Sequence, residues 1–108
     1  MAAACTAHAE TSPDCAGLAR QTVAGVRVTA AAIVPAQPLW APESGAAATP
    51  VKAPFCRVQG VIETEIGFEL WLPAPDAWNG KFLGAGVGGD AGVFNLRDLP
   101  RGVARDYA

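Results

Sequence analysis

The sequence predicts strands and short helices organised round one antiparallel β-hairpin, and three observations carry that prediction. Residues 65–73 alternate, with Ile66, Phe68, Leu70 and Leu72 on one side and Glu65, Gly67, Glu69 and Trp71 on the other. That is the period-two signature of a strand with one buried face. Just before it, Cys56, Val58 and Ile62 fall on one face of a second extended run, and the short Glu63-Thr64 link allows antiparallel pairing. Helical turns at 15–23 and 93–99 flank the hairpin in sequence.

The elements are taken in chain order. Residues 1–14 are small and polar and read as a disordered tail or the remnant of a signal sequence. From Cys15, Cys-Ala-Gly-Leu-Ala-Arg-Gln-Thr-Val supplies two helical turns, with Asp14 as cap and Gly25 near the stop. Val26–Val34 is rich in β-branched and small residues and reads as a strand. Residues 35–54 hold five of the nine prolines. Proline removes a donor and fixes φ, so this segment reads as a loop. Pro73 and Pro75 end the hairpin, 76–80 turns the chain, and Lys81-Phe82-Leu83 starts a third strand. The short helix at 93–99 is then broken by Pro100 and Gly102.

A chain of 108 residues has room for one small domain, with a correspondingly modest core. Five of its aromatic residues lie between Phe55 and Phe82, so the core belongs to the middle and later part. A net charge of −2, with both signs scattered, argues against a nucleic-acid or phosphate surface. No apolar run reaches the roughly 20 residues of a membrane span. Cys5, Cys15 and Cys56 are too widely spaced for a compact zinc motif; two can pair and leave one over. Met1-Ala-Ala-Ala-Cys5 admits two readings: a lipoprotein-like cleavage site with Cys5 as lipid anchor, or an alanine-rich tail with a free thiol.

The glycine-rich segment 81–92 raises the question of chemistry. Gly84, Gly86 and Gly89 spell G-x-G-x-x-G, with Asp106 at the distance where an acidic residue would hold a ribose. A dinucleotide site also needs a long helix after the glycines, and Gly92, Pro100 and Gly102 argue against one. A phosphate loop would need Gly-Lys-Ser or Gly-Lys-Thr, which is absent. Two readings stay open: a tight turn needing positive φ, and an oxyanion hole whose backbone N–H groups meet a developing negative charge.

The neighbours of this segment carry a resemblance. Cys56, Val58 and Gly60, then Leu72-Pro73, then Trp78-Asn79-Gly80, then Gly86, Gly88, Gly89 and Gly92 occur in that order, with Cys15 and Leu18 upstream. This order resembles the N-terminal part of the tannase and feruloyl esterase family, over roughly 15–102 and most closely over 56–92. The resemblance implies that 15–108 is the N-terminal, incomplete part of an α/β-hydrolase fold, from a secreted, periplasmic or lipid-anchored serine esterase. It implies a Cys15–Cys56 disulfide, a Gly89 backbone N–H in the oxyanion hole, and a corner at Trp78-Asn79-Gly80 that aims the next strand. The substrate implied is a small aromatic ester of galloyl or feruloyl type.

A serine esterase needs a nucleophile, a histidine base and an orienting acid. The chain has two serines, Ser12 and Ser44, and one histidine, His8. None stands on a strand-to-helix elbow. In the family these groups, and a lid with its calcium site, lie beyond position 108. The expectation is therefore a fragment that is inactive by itself and holds no cofactor or metal. Where the family carries Arg-Gly-Tyr-Ala, this chain has Arg101-Gly102-Val103-Ala104. The alternative is a small secreted β-rich binding or structural module.

Overall fold

The computed structural model describes residues 14–43, 45–89 and 92–108. Residues 1–13, with Cys5, His8 and Ser12, lie outside the described residues, as do Ser44, Asp90 and Ala91. Strands β1 (Val26–Val34), β2 (Gln37–Trp40), β3 (Thr49–Val51), β4 (Phe55–Ile62) and β5 (Ile66–Pro73) are followed by one short helix, α1 (Leu99–Val103).

The hairpin is β4–β5, in register from Phe55 opposite Pro73 to Ile62 opposite Ile66. Its turn places Glu63 at φ 59°, and the Glu63 amide donates to the Gly25 carbonyl at 2.6 Å. On its other side β4 pairs antiparallel with β1, giving the order β1-β4-β5. The register shifts between Val28 and Ala30, where Thr29 is the extra residue of a bulge. Its hydroxyl donates to the Gln59 carbonyl at 3.2 Å.

The α/β expectation is overturned. The described residues form a mostly β domain of antiparallel sheets with one short α-helix, and not a part of an α/β-hydrolase fold. An α/β sheet needs parallel strands joined by crossover helices that cover its faces. Here the first helical segment is a five-residue 3₁₀ turn, Ala16–Arg20, whose Gly17 amide donates to Asp14 Oδ1 at 2.7 Å. The β-branched pair Thr22-Val23 and then Gly25 come soon after it, and neither extends a helix. The second helix is also displaced. Pro100 sits in its first turn, where a missing N–H is harmless, so it opens α1 instead of breaking it.

The proline-rich segment also differs from a plain loop. β2 and β3 form a two-stranded sheet, with Gln37 opposite Val51 and Trp40 opposite Thr49. Pro38 and Pro50 fit there because a two-stranded sheet has only edge strands, whose outer positions need no donor.

This small sheet brings Trp40 onto the main one. Val34, Val51, Phe55 and Trp71 are buried together, with Trp40, Leu96, Leu99 and Val103 packed against them. The Phe55 and Trp71 rings stack at 4.6 Å, and Trp40 meets both edge-on at 5.7 and 5.5 Å. Such offset and T-shaped contacts suit the ring quadrupoles. The buried face is thus the one that carries Glu69 and Trp71. The larger stripe from Ile66 to Leu72 lies on the opposite face, where Ile66 is 61% exposed.

That opposite face is held at one end by the Cys15–Cys56 disulfide, which anchors the 3₁₀ turn to β4 across 41 residues of sequence. Further along it, Phe68 lies opposite Gly60, and a Cβ on Gly60 would stand 2.6 Å from the ring and 2.7 Å from the Arg27 carbonyl oxygen. The ring can move; the backbone oxygen of β1 cannot do so cheaply.

This packing generates two expected outcomes. Reducing the disulfide, or replacing both cysteines by serine, should lower stability by about 3–4 kcal/mol, the loop-closure entropy for a loop of this length. Urea unfolding with and without reductant measures it, and an unchanged midpoint would refute the role. Gly60→Val should destabilise by about 1–3 kcal/mol through overpacking against β1, read from the same midpoint at constant slope.

Candidate functional site

The glycine segment is positioned from the end of β5. Amides of Ala77 and Trp78 donate to the Ala74 carbonyl at 2.9 and 3.0 Å, closing a turn after Pro73. Gly80, at φ +82°, completes the corner. The Asn79 side chain bridges it: Oδ1 accepts the Lys81 amide at 2.8 Å while Nδ2 donates to the Arg105 carbonyl at 3.0 Å. Trp78 Nε1 donates to the Lys81 carbonyl at 2.9 Å.

Lys81–Leu83 then runs out without becoming a regular strand. It pairs with the last residues instead, Leu83 N–H to the Ala108 carbonyl at 2.8 Å and Ala108 N–H to the Lys81 carbonyl at 3.0 Å. Asp106, the candidate ribose ligand, serves this junction too: its carbonyl accepts the Asn79 amide at 2.9 Å.

Beyond Leu83 the glycines are open. A Cβ at Gly86, Gly88 or Gly89 would meet no heavy atom within 4 Å. Gly89 adopts φ +65°, which disfavours any side chain there. Gly89 is exposed. The dinucleotide geometry is not formed, because the glycines lead into a turn and then the five-residue α1.

Asn95 holds that turn to the loop. Its Nδ2 donates to the Gly86 carbonyl at 2.7 Å and to Asp98 Oδ2 at 2.8 Å, and its Oδ1 accepts the Asp98 amide at 3.0 Å. The hydrogen bond from Asn95 is the main cause that holds the Asp98 carboxyl below its ordinary value. Slight desolvation opposes it, and the charges of Arg97 and Arg101 add to it.

A cleft of about 220 Å³ lies between β5, Phe82–Ala85 and α1. Trp71, Leu83, Phe94 and Leu99 give it apolar walls, with Glu69 and Asp98 as its charged residues; Gly89 does not line it. The Glu69 side chain is fully buried. Its Oε1 accepts from Arg57 Nε and from Trp71 Nε1 at 2.7 Å. Arg57 also reaches Glu43 at 2.9 Å and lies over the Trp40 ring at 5.6 Å. Burial alone would lower the Arg57 pKa, but the hydrogen bonds and charges of Glu69 and Glu43 outweigh it and hold the guanidinium above its ordinary value.

The structure thus joins Cys15 to Cys56, leaves Gly89 open, and gives Asp106 a backbone role. His8, Ser12, Ser44 and Cys5 lie outside the described residues. Sequence reading passed over the Arg57–Glu69 pair. Its signal was two opposite charges inside apolar strands that a short link folds together. Among the described residues, no three His, Cys, Asp or Glu side chains are grouped to hold a metal, and no helix is long and apolar enough to cross a membrane.

No family model matches the chain, and no solved structure does. The chain is similar to an uncharacterized esterase of Xanthomonas campestris pv. campestris, with 36% identity over an alignment of 104 residues that covers 93% of this chain. It spans 18% of that relative's length. The relationship shown is therefore to a protein named an esterase, along about a fifth of it.

Removing one partner of the buried pair should cost more than removing both. Arg57→Met, which strands Glu69 in the core, should lose about 3–5 kcal/mol, and Arg57→Met with Glu69→Leu should recover most of it; urea unfolding of the two variants decides. Asp98 predicts a pH effect. A carboxyl depressed in the folded state adds stability above its unfolded value and loses it as pH falls below about 4. Asp98→Asn should flatten that part of the acid-unfolding curve, and an unaltered curve would refute it.

Proposed function

We propose that this chain supplies an oxyanion-binding loop to a carboxylic-ester hydrolase that acts on aromatic esters of galloyl or feruloyl type. The observation that carries the reading is an open glycine segment, ending in Gly89 at φ +65°, in a chain similar to a named esterase. In this reading a serine oxygen attacks the ester carbonyl while a histidine takes its proton. The carbonyl oxygen becomes the oxyanion that the Gly89 N–H meets, and the alcohol leaves when the tetrahedral species collapses. Water then releases the acid by the same route. In this reading the serine and the histidine come from the part of the esterase that this chain does not match, since it spans 18% of the relative's length. The Cys15–Cys56 disulfide supports placing the protein in an oxidising compartment, secreted or periplasmic.

A second reading, a β-rich binding module, draws support from the all-antiparallel sheets and from apolar residues such as Phe82 and Val93, which are 71% and 64% exposed.

A transplant separates the two. This chain replaces the matching segment of the Xanthomonas protein, and turnover of p-nitrophenyl, gallate and ferulate esters is measured. The esterase reading expects turnover in the chimera and none from the 108-residue chain alone. Gly89→Pro, which removes the amide hydrogen, should lower kcat about 100- to 1000-fold, whereas Gly88→Ala keeps every amide and should stay near the parent rate. A chimera without turnover, beside an active parent, would favour the binding module.

A further inference from the structure

The two faces of the β1-β4-β5 sheet differ in polarity, and in the unexpected direction. The face packed on the aromatic core carries Arg57 and Glu69. The other takes alternate residues from Cys56 to Ile62 on β4 and from Ile66 to Leu72 on β5, with Val26 to Ile33 on β1, stepping past the bulge at Thr29. All four positions on each strand are apolar, Gly60 and the disulfide-bonded Cys56 included. An antiparallel sheet with one face in water ordinarily alternates apolar with polar residues. This sheet is built to be covered on both sides. Among the described residues the 3₁₀ turn is fastened to one end of the face through Cys15–Cys56, yet Ile33, Ile62 and Ile66 remain 56%, 38% and 61% exposed.

We propose that this face is an intramolecular docking surface, covered in a full-length esterase of the relative's kind by an apolar surface of the polypeptide outside the matched segment. Length supports that occupant, because the match spans 18% of the relative and leaves about four-fifths of it available as cover. The chain's own first residues are poor candidates: 1–13 contain no Val, Ile, Leu, Phe, Trp or Tyr. A second copy is disfavoured by area. Strands about 4.8 Å apart, rising about 3.4 Å per residue, make the face roughly 14 by 27 Å, on the order of 400 Å². Separate molecules in a stable interface bury about 800 Å² each. A cover carried in the same polypeptide loses no translational freedom on docking, so the smaller area suffices. The cover must itself be apolar, since a polar group set against this face would lose water and gain no partner.

The docking surface rests on the relationship to the esterase but not on Gly89. Its test uses the chimera in which this chain replaces the matching segment of the Xanthomonas protein, beside the 108-residue chain alone, both with Cys5→Ala. Ile33→Cys, Ile66→Cys and, as a reference away from this face, Lys52→Cys are labelled with N-ethylmaleimide, and each site's rate is read by peptide mass spectrometry. Labelling at I33C and I66C should be at least tenfold slower in the chimera than in the chain alone, with K52C alike in both. Equal rates at I33C and I66C in a folded chimera would overturn the proposal, whether or not that chimera turns over an ester. If the chimera fails to fold, the chain alone decides. It should sediment as a monomer and bind anilinonaphthalene sulfonate, and Ile33→Lys with Ile66→Lys should remove most of the dye signal at an unchanged urea midpoint. Self-association that the two lysines abolish would give the face to a second copy, and a dye signal indifferent to them would show that the face is not free; either result overturns the assignment.

Discussion

Trp71 is the residue on which the rest of the fold depends. Its ring stacks on Phe55, takes Trp40 against its edge, and leaves its indole N–H to Glu69. Through these contacts the hairpin, the two-stranded sheet and α1 become one core. The constraint is also electrical. A tryptophan N–H buried without an acceptor would weaken the core, and the acceptor present is a buried carboxylate that needs Arg57 in turn. Apolar packing and the ion pair are therefore one arrangement, joined at the Trp71 indole.

The candidate site hangs from that core by hydrogen bonds to backbone carbonyls, several of them from asparagine side chains. β5 ends at Pro73, the Trp78-Asn79-Gly80 corner redirects the chain, and Asn79 fastens it to Arg105 and Asp106. Asn95 fastens the glycines from the other side, at Gly86. The loop is thus pinned at the corner and at Gly86, and open at Gly88 and Gly89, where an added Cβ would meet no heavy atom within 4 Å. The apolar residues left on the surface nearby, Phe82 and Leu83 among them, are consistent with the small size of a core built on a few aromatic rings.

Much of the hairpin was legible. The alternation in 65–73 and the short link before it marked β4 and β5, since side-chain period and chain direction are local properties. The corner and the open glycines were legible for the same reason, as backbone requirements written in residue type. The buried face was not. Period two says that two faces differ, and four large apolar residues outweighed one tryptophan in that reading. The decision came from Trp40, brought in by strands from a segment whose prolines had marked it as a loop. The helices were misplaced because Pro100 has opposite meanings at the start and in the middle of a helix, and only the surrounding turn tells which applies.

By itself the sequence determined the strands of the hairpin, the cysteines that had to lie near each other if the resemblance held, and a glycine run with room for chemistry. Those come from local sterics and from residue order. Tertiary structure decided the fold class, the face that is buried, and the pairing of Arg57 with Glu69. Each depends on which distant segment arrives to cover a given surface. It also decided that, among the described residues, Arg57 and Trp71 both approach one Glu69 oxygen and no donor reaches the other.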